Sequence, residues 1–174
     1  MRAFFNFIEE QGKEVIGAEV GVYTGENAFN VLSSSKCIKF LYLIDPYVPY
    51  PTWSPYDLPV ALNTAKDMAA RKLIPFKNKT NFIYNHFHLC DVNNFGDKLD
   101  FVYIDGDHSY SAVKHDIEAA DRFVKAGGII GGHDYQFKEI VKAALEYGSI
   151  QSKRNDVGDG IDWWCIKAGK SYTP

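Results

Sequence analysis

The chain has 174 residues, 46% hydrophobic and 24% charged, with 19 basic and 22 acidic side chains and a net charge of -3. That length suits one domain able to bury its own core without staples, and a near-balanced charge with no long run of either sign excludes broad binding to a phosphate backbone. No apolar run reaches the about 18 residues of a membrane span, and the first residues lack the pattern of a signal peptide, so the reading is a soluble cytoplasmic protein with neither nucleic acid nor membrane as partner. Cys37, Cys90 and Cys165 lie far apart in apolar contexts and read as reduced core thiols.

Phe4, Phe7 and Ile8 fall at helical spacing and Gly12 can end the turn, which predicts a short amphipathic helix within residues 1–13, laid against the body and carrying no chemistry. Residues 15–22 read as a strand. They run into Glu19-Val-Gly21-Val22-Tyr23-Thr24-Gly25 and a helix with Ala28, Val31 and Leu32 on one face. Gly21 and Gly25 can let the backbone approach a ligand closely, and the helix N-terminus offers N–H groups to an anion; the plain alternative is a tight connection. The spacing is E-x-G-x-x-x-G rather than G-x-G-x-x-G, which argues against an NAD-dependent oxidoreductase. A second strand, 40–44, ends at Asp45, placed where a carboxylate can accept from both hydroxyls of a ribose. Together the two signals point to adenosine.

Residues 46–60 hold five prolines, three tyrosines and a tryptophan. They read as a stiff lid or substrate wall, or else as aromatics that cover the core. Leu62, Ala65 and Ala69 mark a helix that Pro75 closes. Residues 81–91 read as a strand ending at Asp91 and Val92, where Asp91 faces an adenine amino group or caps the next turn. His86 and His88, two apart, would share one strand face, either as a metal pair or as half-exposed histidines.

The run 100–104 stops at Asp105, Asp107 and His108, and the run 128–132 stops at His133 and Asp134. A helix of about residues 111–124, with Val113, Ile117, Ala120 and Val124 inward, separates them. If the two runs are neighbouring parallel strands, those five side chains gather at the rim where open α/β sheets bind ligands. Phe137, Ile140, Val141, Ala144 and Leu145 define another helix, and two last strands, 148–153 and 161–167, should pair as a hairpin. The fold expected is α/β, Rossmann-like and doubly wound: a mostly parallel seven-stranded sheet ending in an antiparallel hairpin, in a three-layer αβα sandwich spanning residues 1–174. Trp163 and Trp164 point to opposite faces, so at most one should be core and the other is available to the surface or to a homodimer contact.

From about residue 15 to 167 the chain resembles a class I S-adenosylmethionine-dependent methyltransferase. Phe-Val-Tyr-Ile-Asp-Gly-Asp-His-Ser-Tyr, then Gly-Gly-Ile-Ile-Gly-Gly-His-Asp-Tyr, then Asp-Trp-Trp-Cys-Ile-Lys is similar to a small subgroup associated with sugar and glycan pathways. It also resembles the macrocin- and novobiocin-type sugar O-methyltransferases and cephalosporin-hydroxylase-like proteins. The resemblance implies that Glu19, Gly21, Val22, Tyr23, Thr24 and Gly25 surround the methionyl part of the cofactor, with Asp105 also facing it. It places Asp45 on the ribose, and Asp91 with Val92 beside the adenine. In the metal-dependent relatives the equivalent positions hold Mg2+, which implies Asp105, His133 and Asp134 as ligands and Asp107 as the base. His133 stands where those relatives carry a carboxylate, so either a softer ion such as Mn2+ binds, or His133 or His108 handles the proton without a metal. The implied substrate is a sugar or another small hydroxyl compound, the alternative being a cofactor-binding module that supports a partner enzyme.

Overall fold

The computed structural model describes residues 1–50, 60–96, 98–156 and 160–168. Most of the Pro/Tyr-rich segment, 51–59, and the tip of the last loop, 157–159, therefore lie outside the described residues, and with them the expected lid. Seven strands form one sheet: β1 (Val15–Val20), β2 (Ile38–Ile44), β3 (Thr80–Ile83), β4 (Leu99–Ile104), β5 (Val124–Gly132), β6 (Gln151–Arg154) and β7 (Ile161–Ile166). Their order is β3-β2-β1-β4-β5-β7-β6. β1 through β5 pair in parallel, while β7 runs antiparallel to both β5 and β6. This is the expected doubly wound sheet with its closing hairpin, and its strand order reverses between β1 and β4, where such sheets bind ligands.

The central strands are buried on both faces, so their apolar runs are continuous rather than alternating. Along β4, Phe101 and Tyr103 enter one core and Val102 and Ile104 the other. The first core is covered by α1 (Ala3–Glu10), α2 (Glu26–Ser34) and α3 (Leu62–Lys72), the second by α4 (Tyr110–Phe123) and α5 (Lys138–Tyr147). Cys90 and Cys165 are buried and Cys37 is half-buried. No described helix is long and apolar enough to cross a membrane.

Two expectations fail for physical reasons. The strand over 81–91 stops at Ile83, after which the chain turns and makes a single 3-10 turn at Phe87–Leu89. His86 and His88 therefore do not share a strand face. Both Trp163 and Trp164 are buried, because α1 covers the face on which Trp164 would have been exposed; Phe7 stacks on its ring at 5.2 Å. The aromatic argument for a dimer contact falls with that.

α1 is bound to the sheet at its first turn. It has no N-cap side chain of its own; instead Ala3 N–H donates to Asn155 Oδ1 at 2.7 Å and Phe4 N–H to Asp162 Oδ2 at 2.9 Å. Two N–H groups that no helix can satisfy internally are thus met from the last hairpin. Phe4 lies so close to β5 that a Cβ on Gly131 would stand 2.6 Å from its ring. The residue before α1, Arg2, is thereby carried to the rim of the sheet.

Candidate active site

The rim is built where β1, β2, β4 and β5 end. Gly21 has φ of 87°, and a Cβ there would lie 2.2 Å from the backbone oxygen of Asp105, so the chain leaving β1 passes flush across the end of β4. Only glycine suits both the dihedral and the gap. Gly21→Ala is expected to destabilise the protein by about 2–4 kcal/mol, from overpacking plus a left-handed φ, read as a lower midpoint in urea unfolding together with loss of ligand binding.

Asp45 is buried and holds this turn together: Oδ2 accepts from Val22 N–H and Tyr23 N–H, both at 2.9 Å, and Oδ1 accepts from Tyr47 N–H at 2.8 Å. Burial pushes its pKa up, and the three N–H groups pull the other way. Tyr23 and Tyr47 take left-handed conformations at φ 48° and 51°, and Asp134 at the end of β5 does so at 60°. Non-glycine residues there cost on the order of 1–3 kcal/mol each and persist where surroundings hold them. Those surroundings are visible: the Tyr47 hydroxyl donates to Tyr23 O at 2.8 Å, and the Tyr23 hydroxyl donates to Val60 O at 3.0 Å and accepts from Val60 N–H at 2.8 Å.

A cavity of about 630 Å³ opens over this turn. Of the residues expected there, Glu19, Gly21, Val22, Tyr23, Thr24, Asp45, Asp105 and His108 line it. Glu19 is 1% exposed; its Oε1 accepts from Asn27 Nδ2 at 3.3 Å, and Oε2 has no partner among the described residues. Burial first, and then the Asp105 charge, push the Glu19 pKa up to about 8. Gly25 is the left-handed residue that starts α2 and shapes the turn without lining the cavity.

Asp91 and Val92 do not reach it. They follow the end of β3 by several residues; Asp91 caps a short turn by accepting from Asn93 N–H at 2.8 Å, and Val92 is 62% exposed. The capping alternative for Asp91 is what the structure shows. A second cavity of about 450 Å³ shares Val48, Pro49, Tyr50 and Gly106 with the first, and it is lined by His86, Phe87, His115, Asp107 and Asp116 among others. Asp107 faces this second space rather than the first, with Oδ1 accepting from Ser109 N–H at 2.8 Å. Burial and the Asp107 charge push Asp116 up to about 7.

Behind the first cavity the charged groups form an alternating chain. Arg2 Nη1 donates to Asp105 Oδ2 at 2.6 Å and to the Tyr103 hydroxyl at 2.8 Å. Asp105 Oδ1 lies 3.6 Å from His133 Nδ1, which lies 3.1 Å from Asp134 Oδ2, and that same oxygen is 3.1 Å from His108 Nε2. Burial opposes charge on His133, but Asp105 and Asp134 outweigh it and push its pKa up to about 10. Burial also opposes charge on Asp134, yet the hydrogen bond from His133 and the positive charge beside it hold its pKa below the usual carboxylate range.

Among the described residues, Asp105, His108 and Asp134 can bring ligand atoms within 4.8 Å of one another. This set differs from the expected one: His108 takes the place of His133, whose Nδ1 is turned to the two carboxylates and whose Nε2 has no partner among the described residues. Two carboxylates and an imidazole are donors that an ion such as Mn2+ accepts, but as they stand their atoms are already engaged by other groups of the chain. Asp134 Oδ1 accepts from Gln136 Nε2 at 2.5 Å, so each carboxylate oxygen of the pair already faces a nitrogen. An ion on Asp105 would lie near the Arg2 guanidinium, and two like unit charges 4 Å apart repel by about 4 kcal/mol at a near-surface dielectric.

Arg2 is the residue that sequence reasoning missed, since nothing local marks it; only the long-range docking of α1 puts it here. The overlong strand hid Phe87 from view and put His86 with His88 on one strand face instead of on the second cavity, although the shortage of β-branched residues after Ile83 is a signal that could have ended it.

The family model described as a methyltransferase domain matches residues 18–135, more than half of the chain. No curated protein matches the chain in sequence. Among solved structures it is similar to an rRNA methylase from Streptococcus thermophilus, with TM-score 0.61 and 14% identity over 90% of this chain and 89% of that one. An O-methyltransferase family protein from Burkholderia thailandensis gives TM-score 0.64 and 13% identity over 97% of this chain and 56% of that one. The N-methyltransferase NodS from Bradyrhizobium japonicum gives TM-score 0.58 and 10% identity over 95% and 93%. At such identities the likeness concerns the fold. The family match, which spans the turn at Gly21 and both strand ends that bear the charged chain, shows that this protein belongs to the methyltransferase domain family.

Proposed function

We propose that the protein is an S-adenosylmethionine-dependent methyltransferase that acts on a hydroxyl group of a small molecule such as a sugar. The observation that carries the cofactor reading is the buried Glu19 carboxyl, one oxygen of which has no partner among the described residues, facing a cavity floored by a glycine turn that Asp45 clamps. A buried acid held near protonation is suited to a cationic ligand, and the cofactor carries both an ammonium and a sulfonium. Asp45 would meet the ribose through Oδ1, which among the described residues accepts only from Tyr47 N–H, and the second cavity beside His86 and Phe87 would receive the adenine. The hydroxyl acceptor is supported by the O-methyltransferase likeness and by a net charge that suits neither RNA nor other polyanions.

S-adenosylmethionine, when bound, would supply an electrophilic methyl group whose bond to sulfur breaks as the bond to oxygen forms, the sulfur leaving with the electron pair as a neutral thioether. The chain must then align the acceptor oxygen with that methyl and remove the hydroxyl proton as the new bond forms. His108 lines the cavity and is the base in this reading. Its ring stacks on Phe137 at 5.5 Å, and its Nε2 lies 3.1 Å from Asp134 Oδ2. Among side-chain types, imidazole has the unperturbed pKa best suited to taking a proton near neutral pH. His108→Gln should lower kcat about 100-fold or more while cofactor affinity stays within about threefold; Asp45→Ala should instead weaken cofactor binding, because the turn loses its clamp. If Asp107→Asn abolishes turnover while His108→Gln retains it, the base is Asp107.

The deciding experiment is calorimetric titration of S-adenosylmethionine and, separately, NAD into the purified protein with EDTA present. Saturable binding of S-adenosylmethionine alone upholds the reading. Binding of NAD, or of neither, overturns it.

A further inference from the structure

We infer that Arg2 occupies the electrostatic place of a divalent cation in this site, so that the Asp105 and Asp134 carboxylates pair with the protein's own nitrogens, that of His108 among them, and the site works without a metal. Three observations meet on this. Asp105 and Asp134, which with His108 come close enough to chelate, have their oxygens turned to Arg2, His133, His108 and Gln136. Arg2 is not a surface group resting on a carboxylate: its side chain is 17% exposed, it lines the main cavity, and its Nη1 bridges Asp105 and Tyr103. Its position is enforced from a distance, because Tyr103 in turn donates to Asp162 at 2.9 Å, and Asp162 also binds the first turn of α1.

A guanidinium differs from a divalent ion in ways that bear on the site. It is planar, always charged and donates hydrogen bonds rather than accepting oxygen lone pairs. It can hold Asp105 in one orientation and keep a fixed positive charge beside the acceptor, but it cannot ligate an alkoxide. Proton removal then falls to a side-chain base, which is why this inference rests on the proposed methyl transfer for its meaning. It also makes Arg2 a positioning residue, acting through Asp105.

The test uses Mn2+ itself and does not require turnover. Titrated with MnCl2 in a calorimeter and followed by the Mn2+ electron paramagnetic resonance signal, the wild-type protein should show no saturable binding up to millimolar metal. Arg2→Gln should gain a Mn2+ site at least tenfold tighter, and adding Asp134→Asn should remove it. Arg2→Lys, which restores the positive charge, should again exclude the ion. Melting temperatures are recorded in parallel, since Arg2 also begins α1. If Arg2→Gln does not fold, the wild type decides: Mn2+ binding abolished by Asp105→Asn overturns the inference, and the lack of any such site upholds it. A folded Arg2→Gln that gains no site overturns the claim that Arg2 keeps the metal out. Failure of S-adenosylmethionine to bind would sink the methyltransferase reading while leaving the Mn2+ result as it stands.

Discussion

Glu19→Gln is expected to melt higher than the wild type at pH 8 and to bind S-adenosylmethionine about tenfold or more weakly. Its carboxyl is 1% exposed and its pKa is pushed up to about 8 from 4.5 in the unfolded chain. Between those two values the folded state holds a proton that the unfolded state has released. Stability therefore falls as pH rises through the window, by on the order of 3 kcal/mol at pH 7 relative to a group that does not titrate. Glutamine keeps the shape and the bond from Asn27 without that penalty, so the variant should gain about 5–10 °C in Tm at neutral pH. The gain should shrink towards pH 4.5. A cationic ligand reverses the preference by favouring the carboxylate, so wild-type binding should release a proton and, below pH 8, tighten by up to about tenfold for each unit that the pH rises. At pH 7 the binding heat should then depend on the ionisation heat of the buffer, and in Glu19→Gln that dependence should vanish. A variant that is no more stable, or that binds as tightly with the same proton release, would show that Glu19 is not the group the ligand addresses.

Glu19 and its turn were legible because their causes are local. A strand that runs into two glycines, and a second strand that ends in an acid, need only the pattern along the chain to be recognised, and Glu19, Gly21 and Asp45 meet in one cavity. The apolar runs ending at Asp105 and His133 predicted their own adjacency, which β4 and β5 show as parallel neighbours. What the pattern does not carry is which side chain faces which space. Asp107 and His108 are consecutive, yet only His108 lines the main cavity, a choice made by the Ser109 N–H that takes the Asp107 carboxylate at the start of α4. The left-handed conformations of Tyr23, Tyr47 and Asp134 carry no glycine to announce them. Arg2 lies furthest from local signals, since its place depends on α1 meeting Asn155 and Asp162 more than a hundred residues away.

Asp162→Ala should release Arg2 without releasing α1. Asp162 is fully buried and accepts from Phe4 N–H at 2.9 Å, the Tyr103 hydroxyl at 2.9 Å and Asn155 Nδ2 at 3.1 Å. Burial pushes its pKa up and those three donors oppose the shift. Alanine leaves them without their acceptor, a cost of about 1–3 kcal/mol for each one that stays buried and unmet. Relaxation and entering water will reduce the sum, so a loss of about 3 kcal/mol is expected in urea unfolding. Against this, Phe4, Phe5 and Ile8 of α1 are buried, and each such side chain contributes about 1.5–3 kcal/mol. Packing therefore outweighs the lost bonds, and the helix should stay docked while its first turn opens. Hydrogen exchange can see the difference: the Phe4 amide should lose protection, whereas the amides of Phe7 and Ile8 should keep most of theirs. Tyr103, freed from Asp162, no longer fixes the Arg2 guanidinium, so the variant should shift towards the Mn2+ affinity expected of Arg2→Gln. Equal loss of protection along all of α1 would mean that Asp162, rather than the phenylalanines, holds the helix to the sheet. Unchanged protection at Phe4 would mean that the buried carboxylate is not what caps it.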